Sequence, residues 1–146
     1  MSFSVIIPCN CVKEGTINYP DFWDKLRVFF GEIEVKDAYR DDKELTRKVM
    51  EWQFCEHQGI ALEYHMSQSV TRWNQHIEET YPNRFLNFKK FIPDYNMYVR
   101  DDYDKKQALI ELEELHELEG FVHEYRFNQF KELLETAIEL DQEIYW

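Results

Sequence analysis

The chain has 146 residues and a formal net charge of −12, from 29 Asp and Glu against 17 Lys and Arg. With 11 Phe, 9 Tyr and 4 Trp it carries too much aromatic surface for a disordered chain, and four Gly and four Pro are too few for low-complexity linkers or a turn-rich all-β fold. The acidic balance disfavours nucleic acid and anionic membranes as partners, since both would repel it.

Residues 2–8 alternate Phe3, Val5 and Ile7 with Ser2, Ser4 and Ile6, a strand pattern stopped by Pro8. A polar loop over 9–19 follows. Pro20 can occupy a first helical turn, and Phe22, Trp23, Leu26, Phe29 and Phe30 recur at helical spacing up to Gly31. Ile33 and Val35 alternate with charged residues and predict a short strand that could pair with the first. Asp41 and Glu44 have capping-box spacing for a helix burying Leu45, Val49 and Trp52. Ser67 or Ser69 can cap a helix with Val70, Trp73 and Ile77 on one face, ending before Pro82. Asn83 can cap a short helix with Phe85, Phe88 and Ile92 inward. Asp101 or Asp102 opens a long helix with Leu109, Leu112, Leu115 and Leu118 towards the core, ending at Gly120. From about residue 122 a final helix buries Phe130, Leu133, Leu134, Ala137 and Ile138 and runs to the C-terminus. The expected class is therefore mainly α: a single helical domain over residues 1–146, with a C-terminal antiparallel helical hairpin and a small N-terminal β element.

No window approaches the roughly 18–20 apolar residues of a membrane span. The apolar start has no basic residue before it and is too short for a signal peptide. Three cysteines, an odd count, then read as reduced thiols in a cytoplasm.

The charge is unevenly spread. Residues 101–146 hold 14 acids and 4 bases, whereas residues 82–100 are net basic, with Arg84, Lys89, Lys90 and Arg100 against Asp94. On the final helix Glu132, Glu135, Glu139 and Glu143 fall on one stripe, and on the preceding helix Glu111, Glu114 and Glu117 do the same. Like charges at that spacing destabilise an isolated helix by about 0.2–0.5 kcal/mol per pair. Anions near a helix C-terminus oppose the macrodipole as well. Local rules broken without evident compensation point to function, here a negative docking face for a basic protein partner. The competing reading is a solvated face, or one neutralised internally by Arg84, Lys89, Lys90 and Arg100. The segment 95–103, with Tyr95, Tyr98 and Arg100, has residue types enriched at interfaces. Tyr95, Tyr98 and Trp146 are the candidate anchors.

Chemistry has less support. Cys9, Cys11, Cys55 and His57 could offer a Cys3His zinc set, but one residue between paired ligands is shorter than structural zinc sites use. On a helix, Cys55 and His57 would also point about 200° apart. The expectation is therefore no metal, no cofactor and small packed thiols. A Cys–His nucleophilic pair has no distinguishing signal, and the chain contains no Gly-rich phosphate loop and no H-E-x-x-H, G-x-S-x-G or C-x-x-C. No catalytic residue is assigned.

The two chain ends carry a resemblance. Ser4-Val-Ile-Ile-Pro-Cys-Asn-Cys-Val-Lys-Glu-Gly-Thr16 resembles the start of a group of small acidic bacterial cytoplasmic proteins, in which a short strand leads into a Cys-x-Cys-x-x-x-Gly loop. Thr136-Ala-Ile-Glu-Leu-Asp-Gln-Glu-Ile-Tyr-Trp146 resembles their ending, although Asp141-Gln-Glu-Ile stands in place of their usual Gly-Asn-Pro. Such proteins look like immunity proteins that neutralise a paired toxin. The resemblance implies an acidic binding protein with a basic toxin partner, such as a nuclease, and carries no catalytic residue across. A metal- or thiol-dependent enzyme built on the Cys9/Cys11 loop, and a DNA mimic, are the alternatives.

Overall fold

A computed structural model of the chain describes residues 2–29, 32–93, 102–119 and 124–146. These form two compact units, one of Pro8–Ala61 and a larger one of Met1–Ile7 with Leu62–Trp146.

The larger unit begins with β1 (Ser2–Pro8), which lies beside β4 (Ile60–Ser67) in a two-stranded sheet. On β1, Val5 and Ile7 are fully buried. On β4, Ile60, Leu62, Tyr64 and Met66 alternate with exposed Ala61, Glu63, His65 and Ser67, the signature of a strand with one face on a core. Four helices follow: α3 (Ser69–Thr80), α4 (Leu86–Phe91), α5 (Lys105–Glu119) and α6 (Glu124–Leu140). Their inward residues Ile77, Phe88, Phe91, Leu112, Leu115, Phe130, Leu133 and Leu134 make one cluster with the sheet. Each such side chain stabilises the fold by about 1.5–3 kcal/mol on burial. Cross-links between Glu113 and Lys131, and between His116 and Glu124, run α5 and α6 antiparallel. After Leu140 the chain turns through Asp141 (φ 50°) and comes back to β1, where Tyr145 and Ile6 exchange two backbone hydrogen bonds of 2.7 and 2.8 Å.

Two buried charges hold helix ends in this unit. The carboxylate of Glu111 accepts the Asn87 N–H at 3.2 Å, in the first turn of α4, which has no side-chain cap of its own. Lys89 donates to the carbonyl of Tyr81, the residue that ends α3, and pairs with Glu78 at 3.4 Å. Each sign suits the pole it faces, an anion at a helix start and a cation at a helix end.

The smaller unit contains α1 (Cys11–Glu14), a 3-10 turn at Trp23–Lys25, and an antiparallel pair β2 (Leu26–Phe29) and β3 (Glu32–Val35). It continues through a second 3-10 turn at Asp37–Tyr39 into α2 (Lys43–Glu51). Gly15 ends α1 in the left-handed conformation (φ 69°). Tyr19, Phe22, Trp23, Trp52 and Phe54 meet edge to face or tilted, and the Trp52 indole N–H donates to the Asn18 carbonyl at 3.0 Å.

The expected mainly helical single domain is therefore corrected to a mixed α/β fold: the described residues are 53% helix and 17% strand, with six helices and two small antiparallel sheets among them. Three local readings changed. The helix expected from Phe22 to Phe30 is a 3-10 turn followed by a strand. Leu26 and Val28 fit both periods, and pairing with Ile33 and Val35, with Arg27 opposite Glu34 at 2.6 Å, decides for the strand. β3 consequently pairs with β2 and not with β1. β4 takes the place beside β1, and the final helix stops at Leu140 instead of reaching the end. Caps also shifted: Asp42, not Asp41, accepts from Leu45 N–H, and Asp104, not Asp101 or Asp102, accepts from Gln107 N–H. Among the described residues no helix is long and apolar enough to cross a membrane.

Candidate functional site

The acidic stripes belong to the larger unit and divide into two groups. Glu111, Glu132 and Glu143 are engaged. Glu111 is buried as the cap of α4 and is not on the outer surface with its neighbours. Burial raises its pKa, although N–H groups of Asn87 and Phe88 pull the other way. Glu132 accepts from the Tyr64 hydroxyl, which with burial pushes that phenol up to about 12. Glu143 is half-buried and pairs with Lys105 at 3.3 Å. Glu114, Glu117, Glu135 and Glu139 are exposed, and no hydrogen bond or ion pair reaches them among the described residues.

The bases that could have neutralised them are occupied elsewhere. Lys89 is at the end of α3, Lys90 pairs with Asp102 at 3.2 Å, and Arg84 lies over the rings of Tyr81 and Phe85. Arg100 lies outside the described residues, as do Tyr95 and Tyr98. Trp146 is described, and it serves the fold: its ring packs against Phe3 and Phe91 at 6.0 and 5.4 Å between centroids. It is half-buried and packs against the core cluster. Sequence reasoning missed Ile110 as a surface residue, and it expected Leu118 towards the core, where the structure instead leaves it exposed. They are 50% and 54% exposed, on the side of α5 that also carries Glu114 and Glu117. The spacing 110, 114, 117, 118 was the available signal, because it defines one face of a helix.

The second candidate belongs to the smaller unit. Cys9 leaves the end of β1, Cys11 opens α1, and Cys55 and His57 lie on the turn before β4. Their four donor atoms all fall within 4.8 Å of one another. Cys9 Sγ is 3.8 Å from Cys55 Sγ, and Cys11 Sγ is 3.3 Å from His57 Nδ1. The objection that Cys55 and His57 diverge on a helix fails, because they are not helical. Gln58 (φ 53°) and Gly59 (φ 86°) then turn the chain into β4. Cys9 N–H donates to Gly59 O at 3.0 Å and ties the two loops together. Burial, then the neighbouring thiols of Cys9 and Cys55, push the Cys11 thiol up to about 11. At Cys55 burial acts upward too, but backbone N–H groups of Gly59 and His57 and the two other thiols outweigh it and hold this thiol below its usual range. None of the three cysteines is in a disulfide.

No protein-family model, curated protein or solved structure matches this chain. The functional reading therefore rests on the residues themselves.

Proposed function

We propose that this protein is an acidic binding protein of the immunity type, which neutralises a basic partner toxin by protein–protein contact. The observation that carries the reading is the outer surface of α5 and α6. There Glu114, Glu117, Glu135 and Glu139 stand exposed without an ion pair among the described residues, and Ile110 and Leu118 lie exposed beside the first two. A docking face uses both kinds of residue, the carboxylates to steer a cationic partner and the apolar groups to hold it once docked. Nothing in the reading requires a catalytic residue. Its setting is a cytoplasm, where thiols stay reduced.

The test pairs Glu135→Lys with Glu139→Lys. The basic protein captured by the chain in its native host is expressed with and without the chain, and growth and affinity are measured. Wild-type chain rescues growth. The double reversal weakens binding at least about tenfold and flattens its dependence on salt. Unchanged affinity in a folded double variant refutes the docking face.

A further inference from the structure

We infer that Cys9, Cys11, Cys55 and His57 together form a structural zinc site in the smaller unit. Three thiolates and one imidazole are a donor set that zinc accepts, and the distances suit it. Two sulfurs, each about 2.3 Å from one tetrahedral zinc, lie about 3.8 Å apart; Cys9 and Cys55 are 3.8 Å apart. A sulfur and a nitrogen on the same ion lie about 3.5 Å apart; Cys11 Sγ and His57 Nδ1 are 3.3 Å apart. The sulfur separation is also far beyond the roughly 2.05 Å of a disulfide bond.

The surroundings of the donors are those of ligands. His57 turns Nδ1 to the thiols, while its Nε2 stands 3.6 Å from the exposed carboxylate of Glu56. Thr16 N–H to Cys11 O and Ile60 N–H to His57 O, at 2.9 and 3.2 Å, fix the two loops that present the donors.

The smaller unit also has a need for such a link. Among its described residues the buried apolar side chains are Pro8, Cys9, Ile17, Leu26 and Leu45, and the last four keep 5–7% exposure where many in the larger unit have none. Small domains with thin cores commonly depend on a metal or a disulfide. An ion held by residues 9 and 11 on one side and 55 and 57 on the other would close a long loop and stabilise the unit at its two ends. Four protein donors leave no open coordination position, so the ion's role is structural and not catalytic.

The test uses the full chain purified under reducing conditions without chelator, with zinc and cobalt(II) as probes. The wild-type protein should hold one zinc per chain and shield its three thiols from a thiol reagent until a chelator is added. Cobalt(II) should give the visible bands of tetrahedral coordination and a near-ultraviolet sulfur-to-metal transition. Cys55→Ser should bind zinc at least about tenfold more weakly, whereas His57→Cys should retain it, since four cysteines are also an accepted set. Reduced wild-type protein that holds no zinc and gives no tetrahedral cobalt spectrum overturns the site. So does a Cys55→Ser variant that binds as wild type, or a Cys9–Cys55 disulfide in freshly purified protein. The wild-type cobalt and thiol measurements decide the matter even where a variant does not fold.

Discussion

Replacing Glu111 by Ala should destabilise the larger unit by about 1–2 kcal/mol. The carboxylate accepts the N–H of Asn87 at the start of α4, a helix with no cap of its own, and does so while nearly shielded from water. A hydrogen bond to a charged group contributes about 1.5–3 kcal/mol. Part of that is offset because the charge itself is desolvated, which is why the carboxyl pKa is raised. Urea unfolding at neutral pH measures the difference, and for a unit of this size each kcal/mol corresponds to a fall of about 4–8 °C in Tm. Glu111→Gln separates the hydrogen bond from the charge, since it keeps an acceptor oxygen and cannot ionise. The folded carboxyl binds its proton more tightly than the unfolded one, whose value is 4.5. The stability that this protonation adds to the wild type is therefore complete below 4.5 and lost as pH rises through the raised folded value. Glu111→Gln should accordingly gain on the wild type as pH rises across that window. An Ala variant within about 0.5 kcal/mol of wild type refutes the capping role, and a gap between Gln and wild type that does not move with pH refutes the raised carboxyl pKa.

Trp146→Ala should lower stability towards the lower end of the roughly 3–5 kcal/mol typical of large aromatic truncations, because the ring is only half-buried. Its affinity for a partner should be unchanged at temperatures where the variant stays folded, as binding titrations can check. Gly59→Ala should cost about 1 kcal/mol or more in thermal unfolding. The residue sits at φ 86°, and an added Cβ would lie 3.0 Å from Phe54 Cζ. A Gly59→Ala protein as stable as wild type would show that the turn does not need the left-handed conformation.

Several elements were legible because their signals are local. The helices over 69–80, 105–119 and 124–140 lie where their apolar spacing puts them, since one buried face at period 3.6 needs no knowledge of a partner. The alternation Ile60, Leu62, Tyr64, Met66 is an equally local strand signal. Leu26 to Phe29 is ambiguous in sequence, as its spacing satisfies a helix and a strand alike, and only the partner strand with Glu34 decides it. The acidic stripe could be counted from spacing, but which carboxylates remain exposed could not. That depends on a helix start needing an acceptor 24 residues away, at Asn87, and on a tyrosine on a strand. The Cys and His residues were noticed as a set. That Cys55 and His57 lie in a turn and not on a helix, with Gly59 O bound to Cys9 N–H, is a backbone arrangement that ligand spacing does not encode.

The backbone exchange between Ile6 and Tyr145 has a consequence for the order of events during synthesis. The smaller unit is continuous, from Pro8 to Ala61, and is complete in the emerging chain long before α5 and α6 exist. The larger unit is interrupted by it, and its first strand receives Tyr145 only when residues 144–146 have left the ribosome. Contacts that far apart in sequence form slowly. Until they form, the apolar faces of β1 and the early helices stay uncovered, so the nascent larger unit passes through an aggregation-prone interval that the smaller one avoids.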